Sequence, residues 1–569
     1  MMDSMASRRG FVAGSVVAGL GAAAAVACAD GVAGHAGTEI PAVWDRMCDV
    51  LVVGAGCGMA SAIVAKEAGA DVLVIDKNDH VGGLFMTSGG NATMGGNNIV
   101  QREAEVEDTN DQWFADEMAA TGYRANSDVV RTLVDRGAET VQWMTDLGFV
   151  WAPLSQGQIG ATKRGVGPAA NPGVYEGGMG TPNSGIAWTQ VWERRLEELG
   201  VPVLIEHRMT RLYREDGGRV VGAQVETPEG TIEVGVSKGV VLATGSWTDN
   251  ARMVQAWDPR LVGDDCYGDG GIPATGQLFV ESTGDGHLAA QAVGGLLTDM
   301  SFTSYLYLIF GARSYWSWGE EPIDWTTNEN MTSDRGLSEV VASKGDFYRN
   351  CIMVANNGSR YVNESLATRT FDFGKVTERP EDPYNEAYLA LDRPRNVWII
   401  GDSAIAEDGE WPLDEIENPN PRIGCMLDPD CVAIADTIEE LAEKMGMSAD
   451  ALRATVDTYN GYVDAGVDGD FGKEGLTMRI EEPPFYGLKA SMIRHIARNG
   501  LRVNTKMQVI DGAAPIDDVA TPVAIDDEPV IEGLYAVGEV GNCVGWRRAH
   551  NTLGHFTTAA RIAGENVAR

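Results

Sequence analysis

The chain has 569 residues, with 44 basic against 82 acidic side chains and a formal net charge of −38. That length exceeds one compact core and predicts two or three domains. The charge excludes the broad basic surface by which proteins hold nucleic acid or anionic lipid.

Residues 1–36 read as an export signal. Ser7-Arg8-Arg9-Gly10-Phe11-Val12 precedes an apolar, small-residue run from Val12 to Ala27. A basic start before a short apolar stretch is a secretion signal, too short for a durable membrane-spanning helix. The adjacent Arg8-Arg9 pair with Phe11 resembles a twin-arginine signal, which implies export to the cell envelope or a periplasm-like space. Cys28 after Ala25-Val26-Ala27 resembles a lipoprotein anchor box, and a cleaved, unlipidated signal is the favoured alternative. No later apolar run is long enough to span a bilayer, so stable membrane insertion is not expected.

Eight cysteines follow no CxxC or CxxCH spacing: Cys28, Cys48, Cys57, Cys266, Cys351, Cys425, Cys431 and Cys543. Most are expected to be buried free thiols. No motif indicates a metal site; an iron–sulfur cluster assembled from distant cysteines stays open as an alternative. The 70 glycines are roughly 12% of the chain against about 7% in ordinary proteins, with no collagen-like period. Glycine serves where backbone must approach a ligand or take positive φ, so glycine loops around a cofactor are expected.

Asp49-Val50-Leu51-Val52-Val53 reads as a strand, Met59 to Ala68 as a helix, and Asp71-Val72-Leu73-Val74-Ile75 as a second strand. Gly54-Ala55-Gly56-Cys57-Gly58 joins the first two. This is the βαβ dinucleotide unit, whose glycines let backbone approach a pyrophosphate at a helix N-terminus. Asp76 lies 22 residues after Gly54, where a carboxylate accepts hydrogen bonds from a ribose diol; Lys77 follows it. The third glycine comes one residue early, which leaves its role open.

Further glycine segments are Val81-Gly82-Gly83-Leu84, Thr87-Ser88-Gly89-Gly90-Asn91, Ala243-Thr244-Gly245, Thr283-Gly284-Asp285-Gly286 and Val537-Gly538-Glu539. With these segments the chain, from about residue 47 to 569, resembles the FAD-dependent flavoproteins that include fumarate reductase, urocanate reductase and 3-ketosteroid dehydrogenase. The resemblance implies a Rossmann-like α/β FAD-binding domain split in sequence (45–300 and 501–569), with an inserted α+β capping domain over 301–500. It implies that Gly54, Ala55, Gly56, Gly58, Asp76 and Lys77 serve the ADP half of FAD. It further assigns to the cofactor Gly83, Ser88, Gly89 and Gly90 beside the isoalloxazine, Ala243, Thr244, Gly245 and Asp285, Glu539 with Gly538 at the ribitol, and Thr552 and Leu553. No histidine occurs in Gly83–Gly90, so FAD is expected to be bound non-covalently.

The stretch around Tyr305, Tyr307, Phe310, Tyr315, Trp316, Trp318 and Trp325 is read either as core packing or as a wide apolar pocket for a neutral substrate. Asn356-Asn357-Gly358-Ser359-Arg360-Tyr361-Val362-Asn363-Glu364 resembles a hairpin of the family. By that resemblance Glu364, with Arg369, relays protons in fumarate reductases. Residues 434–460 follow the family's helical pattern, with Ser448 as an N-cap.

Departures from the family are informative. The proton-donating arginine of a "DDSxR" segment is replaced by Ile405 in Gly401-Asp402-Ser403-Ala404-Ile405. The carboxylate-clamping arginine of "NRLGGN" is replaced by Thr552. An "HPT" segment is replaced near Tyr305-Leu306-Tyr307, and only His495 still matches a substrate-binding residue. Loss of bidentate carboxylate forks argues against a small dicarboxylate and for a bulkier, less charged substrate.

The reading is a reductase of a C=C bond conjugated to a carbonyl, an enone or unsaturated lactone. Exported relatives in gut actinobacteria reduce such compounds, including the lactone of cardiac glycosides. The protein's tasks are orientation, enolate stabilisation and proton delivery. Candidates are Tyr305, Tyr307, His495, Arg547, Arg548 and His550. No second dinucleotide loop and no haem motif occur, so electrons are expected from a cytochrome or a quinol-linked donor. Alternatives are a 3-ketosteroid-type dehydrogenase, a fumarate- or urocanate-type reductase, and a non-catalytic flavin-containing binding protein.

Overall fold

The computed structural model describes residues 39–86, 88–156, 160–169, 185–259, 282–301, 303–311, 317–318, 331–332, 350–366, 383–392, 395–409, 411, 413, 427, 429–497, 500–515, 521–542 and 552–569. The export signal and Cys28 lie outside them.

Strand β1 (Arg46–Val53) is the centre of the main sheet. Its Val50, Leu51 and Val52 are fully buried, because a parallel central strand is covered on both faces and favours β-branched apolar residues. Each such side chain contributes about 2 kcal/mol on burial. The chain continues through α1 (Gly58–Glu67) and returns as β2 (Val72–Ile75), parallel to β1 with Val50 opposite Val72. That is the crossover the sequence predicts, and the helix begins one residue earlier than its apolar pattern suggested.

After a short helix at Ile99–Glu103 come α2 (Asn110–Ala120) and α3 (Ser127–Asp146), capped by the Thr109 and Asn126 side chains. Next come α4 (Ile186–Glu198), β3 (Val203–Leu204), β4 (Arg208–Arg214), β5 (Val220–Thr227) and the long β6 (Gly230–Leu242). β6 lies parallel to β1 on the side away from β2, with Leu51 opposite Val240. Its first half carries β5 antiparallel, and β5 carries β4. A short helix, α5 (Asp285–Ala292), ends this part.

The second core runs from Cys351 to Ala490 and is separate from the one around the main sheet. Its strands are β7 (Thr303–Phe310), β8 (Ile352–Val354), β9 (Trp398–Asp402), β10 (Val432–Ala435) and β11 (Phe485–Ala497). All pairings are antiparallel, with β11 bonded to β7, β9 and β10. Helices α6 (Ile438–Met445) and α7 (Ala449–Ala465) cover it. Gly446 ends α6, and Ser448 Oγ accepts the Ala451 N–H at 3.3 Å, the N-cap expected from sequence.

The chain then rejoins the first core. β12 (Gln508–Ile510) and β13 (Val530–Ala536) complete the order β12–β13–β6–β1–β2–β3. The last helix, α8 (Thr552–Val567), packs on α1, where Ser61 Oγ donates to the Ala560 carbonyl at 2.7 Å. The mixed α/β fold is therefore split in sequence, as expected.

Candidate functional site

Open parallel sheets bind ligands beyond the carboxyl ends of their strands, where neighbouring connections diverge. Here β1 lies between β2 and β6, so the connections leaving all three meet. Gly54 follows β1 with φ 107°, and a side chain there would strike the Ala243 carbonyl oxygen just after β6. Gly58 answers the spacing question. A Cβ there would lie 2.8 Å from Val52 Cγ1 and 2.9 Å from Ala243 Cβ, so the early third glycine lets α1 sit close on the sheet. No side chain caps α1 at Cys57; the Met59 and Ala60 N–H groups turn back onto the Gly56 and Cys57 carbonyls at 3.1 and 3.0 Å, and the positive end of the helix still faces the glycine loop, where an anion is favoured. The Gly82 N–H donates to the Ala55 carbonyl at 2.7 Å, which draws the Gly82–Gly83 turn over the Gly54–Gly56 loop.

Asp76 follows directly after β2 and is buried. It accepts the Ala55 N–H at 2.7 Å, the Asn78 N–H at 2.9 Å and Asn78 Nδ2 at 3.0 Å. Burial pushes its carboxyl above the usual range, and the N–H donors offset this in part. Beside it, Lys77 Nζ donates to Thr283 Oγ1 at 2.9 Å and lies 3.4 Å from Asp285 Oδ2. Arg208, on β4, forks onto the same carboxylate at 2.8 and 3.0 Å. Burial alone would raise Asp285; the Arg208 hydrogen bonds and the Lys77 charge override it and hold the carboxyl low.

A side chain at Gly286 would meet Thr244 Oγ1, and one at Gly538 would lie 2.9 Å from Cys57 Sγ. Gly245 follows in the left-handed region, facing open space. Ser88–Gly90 is held by its own turn and from afar. Gly90 N–H donates to Ser88 Oγ at 3.2 Å, Gly185 N–H to the Ser88 carbonyl at 3.0 Å, and Trp188 Nε1 to the Gly90 carbonyl at 3.0 Å. Glu539 is buried in the 3₁₀ turn Gly538–Val540. Thr552 opens α8 and Leu553 is buried beside it.

The buried polar atoms Thr244 Oγ1 and Asn91 Oδ1 on this surface have no hydrogen-bond partner among the described residues. Buried polar atoms rarely stay unpaired. Orphaned acceptors, a glycine cradle and an uncapped helix N-terminus together fit FAD.

Glu364 belongs to another cluster, inside the second core. Its carboxylate accepts Arg360 Nε at 3.0 Å and Nη2 at 2.7 Å, and the Met353 N–H at 2.9 Å. Arg360 also donates to Asp468 at 2.8 Å, and Lys473 Nζ lies 3.7 Å from Glu364 while donating to the Cys351 carbonyl. All four charged side chains are at most 3% exposed. Burial pushes the Lys473 ammonium down, with Glu364 opposing. Burial would raise Asp468, but hydrogen bonds from Arg360 and the Lys473 N–H bring it to about 2.

Ile405 is 2% exposed. It packs in the second core with Trp411, next to Gly401, while Asp402 caps its helix by accepting the Ile405 N–H at 3.0 Å. Tyr305 and Tyr307 lie on β7 and His495 on β11; Tyr305 pairs with Arg494, the neighbour of His495. The pairing brings three of the candidate residues onto adjoining strands. Arg369, Arg547, Arg548 and His550 lie outside the described residues.

Cys48, Cys57, Cys351 and Cys431 are buried, and burial pushes the Cys48 thiol up to about 12. Among the described residues no group of three or more His, Cys, Asp or Glu is placed to hold a metal ion. Sequence reasoning missed Arg208, Gly185 and Trp188. Each acts across a long separation, and no local pattern marks it.

The FAD binding domain family model matches residues 49–311 and 327–554. A "Probable fumarate reductase" of Shewanella frigidimarina is 27% identical over 530 residues, covering 91% of this chain and 74% of that protein. A vinyl phenol reductase of Lactiplantibacillus plantarum is 25% identical over 541 residues, covering 92% and 96%. The open conformation of a flavocytochrome c3 fumarate reductase superposes with a TM-score of 0.66 at 25% identity, covering 92% of this chain and 78% of the other. No described helix is long and apolar enough to cross a membrane. The chain belongs to the FAD binding domain family, as an FAD-dependent oxidoreductase acting on CH–CH groups.

Proposed function

We propose that this chain reduces a C=C bond conjugated to a carbonyl, in an enone or unsaturated lactone that is bulky and weakly charged. The observation that carries this is Ile405. Where fumarate and urocanate reductases resembling this chain carry an arginine, the side chain is apolar and packed against Trp411. Ile405 thus removes the arginine that donates the proton in those reductases, and Thr552, at the start of α8, stands where they carry the arginine that forks onto a carboxylate. The vinyl phenol reductase, matched over nearly its whole length, is named for a substrate without a carboxylate.

FAD, when bound, supplies hydride exchange with one alkene carbon. The α1 N-terminus and the Gly54–Gly58 loop take the pyrophosphate, Asp76 the ribose, and Glu539 the ribitol. Tyr305, Tyr307 and His495, with Arg547, Arg548 and His550, hold the carbonyl oxygen and deliver the second carbon's proton. Electrons come from a separate partner, a cytochrome or a quinol-linked donor, and the protein works outside the cytoplasm.

The test is anaerobic purification, flavin analysis and a screen of unsaturated carbonyl compounds with reduced methyl viologen. Bulky enones or lactones should reoxidise the viologen while fumarate does not. Fast fumarate reduction, or brisk NADH oxidation coupled to substrate, would overturn the proposal. Tyr305→Phe and His550→Ala should each slow reoxidation of the bleached flavin; unchanged rates would remove those residues.

A further inference from the structure

His555 is the fourth residue of α8 and is 1% exposed. Its ring lies parallel to Trp113 of α2, centroids 5.8 Å apart and 8° between planes. Its Nε2 is 3.0 Å from Glu117 Oε1 but has no aligned hydrogen bond among the described residues. The same carboxylate oxygen accepts Trp113 Nε1 at 2.9 Å. Trp113 is itself wedged on Gly137 of α3, where a Cβ would lie 2.5 Å from the indole.

Further along α8 the contacts with α3 are ordinary surface-to-core fastenings. Thr558 Oγ1 meets Thr140 Oγ1 at 3.0 Å, Arg561 reaches Thr140 at 2.9 Å and Glu139 at 3.1 Å, and Glu565 takes Arg136 at 2.7 Å. Only the first rung places an ionisable ring and a carboxylate together inside the core, in the opening turn of the helix. α8 also packs against the Gly538–Val540 turn and Ala92–Thr93, two neighbours of the cofactor surface.

We propose that His555 is a positioning residue for the flavin. Stacked on Trp113 beside the Glu117 carboxylate, it fixes the opening turn of α8 and, through the packing of α8 on the Gly538–Val540 turn and Ala92–Thr93, the backbone of the flavin surface. The proposal rests on the flavin site described above. A shift of a fraction of an ångström in that backbone changes how its polar groups meet the reduced flavin.

The test uses the FAD-loaded full chain. Three variants are compared with the wild type: His555→Ala, Glu117→Gln and Glu565→Gln, the last at the far end of the same helix. Readouts are the visible circular dichroism of the flavin, its midpoint potential, the FAD dissociation constant and the melting temperature. His555→Ala and Glu117→Gln should change the dichroism and the potential and weaken FAD binding about tenfold, while Glu565→Gln lowers melting alone. If all three variants melt lower with flavin dichroism and potential unchanged, His555 is only a core residue and the proposal fails. A wild type that binds no FAD overturns the flavin site itself, a distinct result. Should His555→Ala not fold, His555→Asn, which keeps a donor toward Glu117, carries the same comparison: partial rescue of the potential supports the proposal and an unchanged potential sinks it.

Discussion

At Ile405 an apolar side chain occupies a closed, apolar place. Ile405→Arg should therefore not create a proton donor. It should lower stability by about 3 kcal/mol or more, from a buried charge without a partner. Chemical denaturation and a fumarate assay check both halves; a stable, fumarate-reducing variant would refute the account. The Arg360–Glu364–Asp468–Lys473 cluster predicts a large effect of a small change. Glu364→Gln keeps shape and removes the charge that balances Arg360 and Lys473, and should cost about 3 kcal/mol. Asp468 adds a pH signature. Its carboxyl sits near 2 in the folded chain against an ordinary 3.8. A carboxyl depressed by folding contributes stability that is complete above its unfolded pKa and is lost as pH falls through the folded one. Denaturation midpoints should therefore drop as pH falls from about 4 toward 2, and Asp468→Asn should flatten that window.

Among elements, the close fit of α1 on the sheet makes Gly58 more sensitive than its place in a cofactor loop suggests. Gly58→Val should unfold the domain or abolish flavin retention, since even a Cβ meets Val52 and Ala243; a folded, yellow variant would contradict the packing role. Local elements were legible because period and punctuation are local. β1, α1, β2 and the Ser448 cap follow from adjacent residues. Pairings across the chain were not. Nothing near Tyr305 announces that its strand will lie beside Arg494. The site was legible in the same uneven way. Asp285 was marked by its neighbouring glycines and Lys77 by following Asp76, but their meeting across 208 residues, under the fork of Arg208, depends on the sheet order. Trp188 had no mark, because a buried tryptophan that donates to a distant carbonyl reads like any core aromatic.

For the whole molecule, charge decides association more than shape. With 82 acidic against 44 basic residues, and many of the arginines locked in ion pairs, the excess is carboxylate facing solvent. Self-repulsion should ease as ionic strength rises from about 0.01 to about 0.15 M, where the screening length falls from about 30 to about 8 Å. Melting temperature should rise over that range. Electron transfer from a cationic donor should slow over the same range, a reversal that stopped-flow mixing would detect.

The second core hangs from the first by a pair of strands. β7 carries the chain in and β11 carries it out, and Thr303 faces Ala497 across the ladder. Entry and exit are thus hydrogen-bonded neighbours, a hinge-like neck whose two cut ends would already touch. Such a neck lets the module be replaced as a cassette. A cap from a relative, joined at 303 and 497, would inherit this flavin platform without new chain ends, which gives an evolutionary route by which one cofactor surface acquires different substrates.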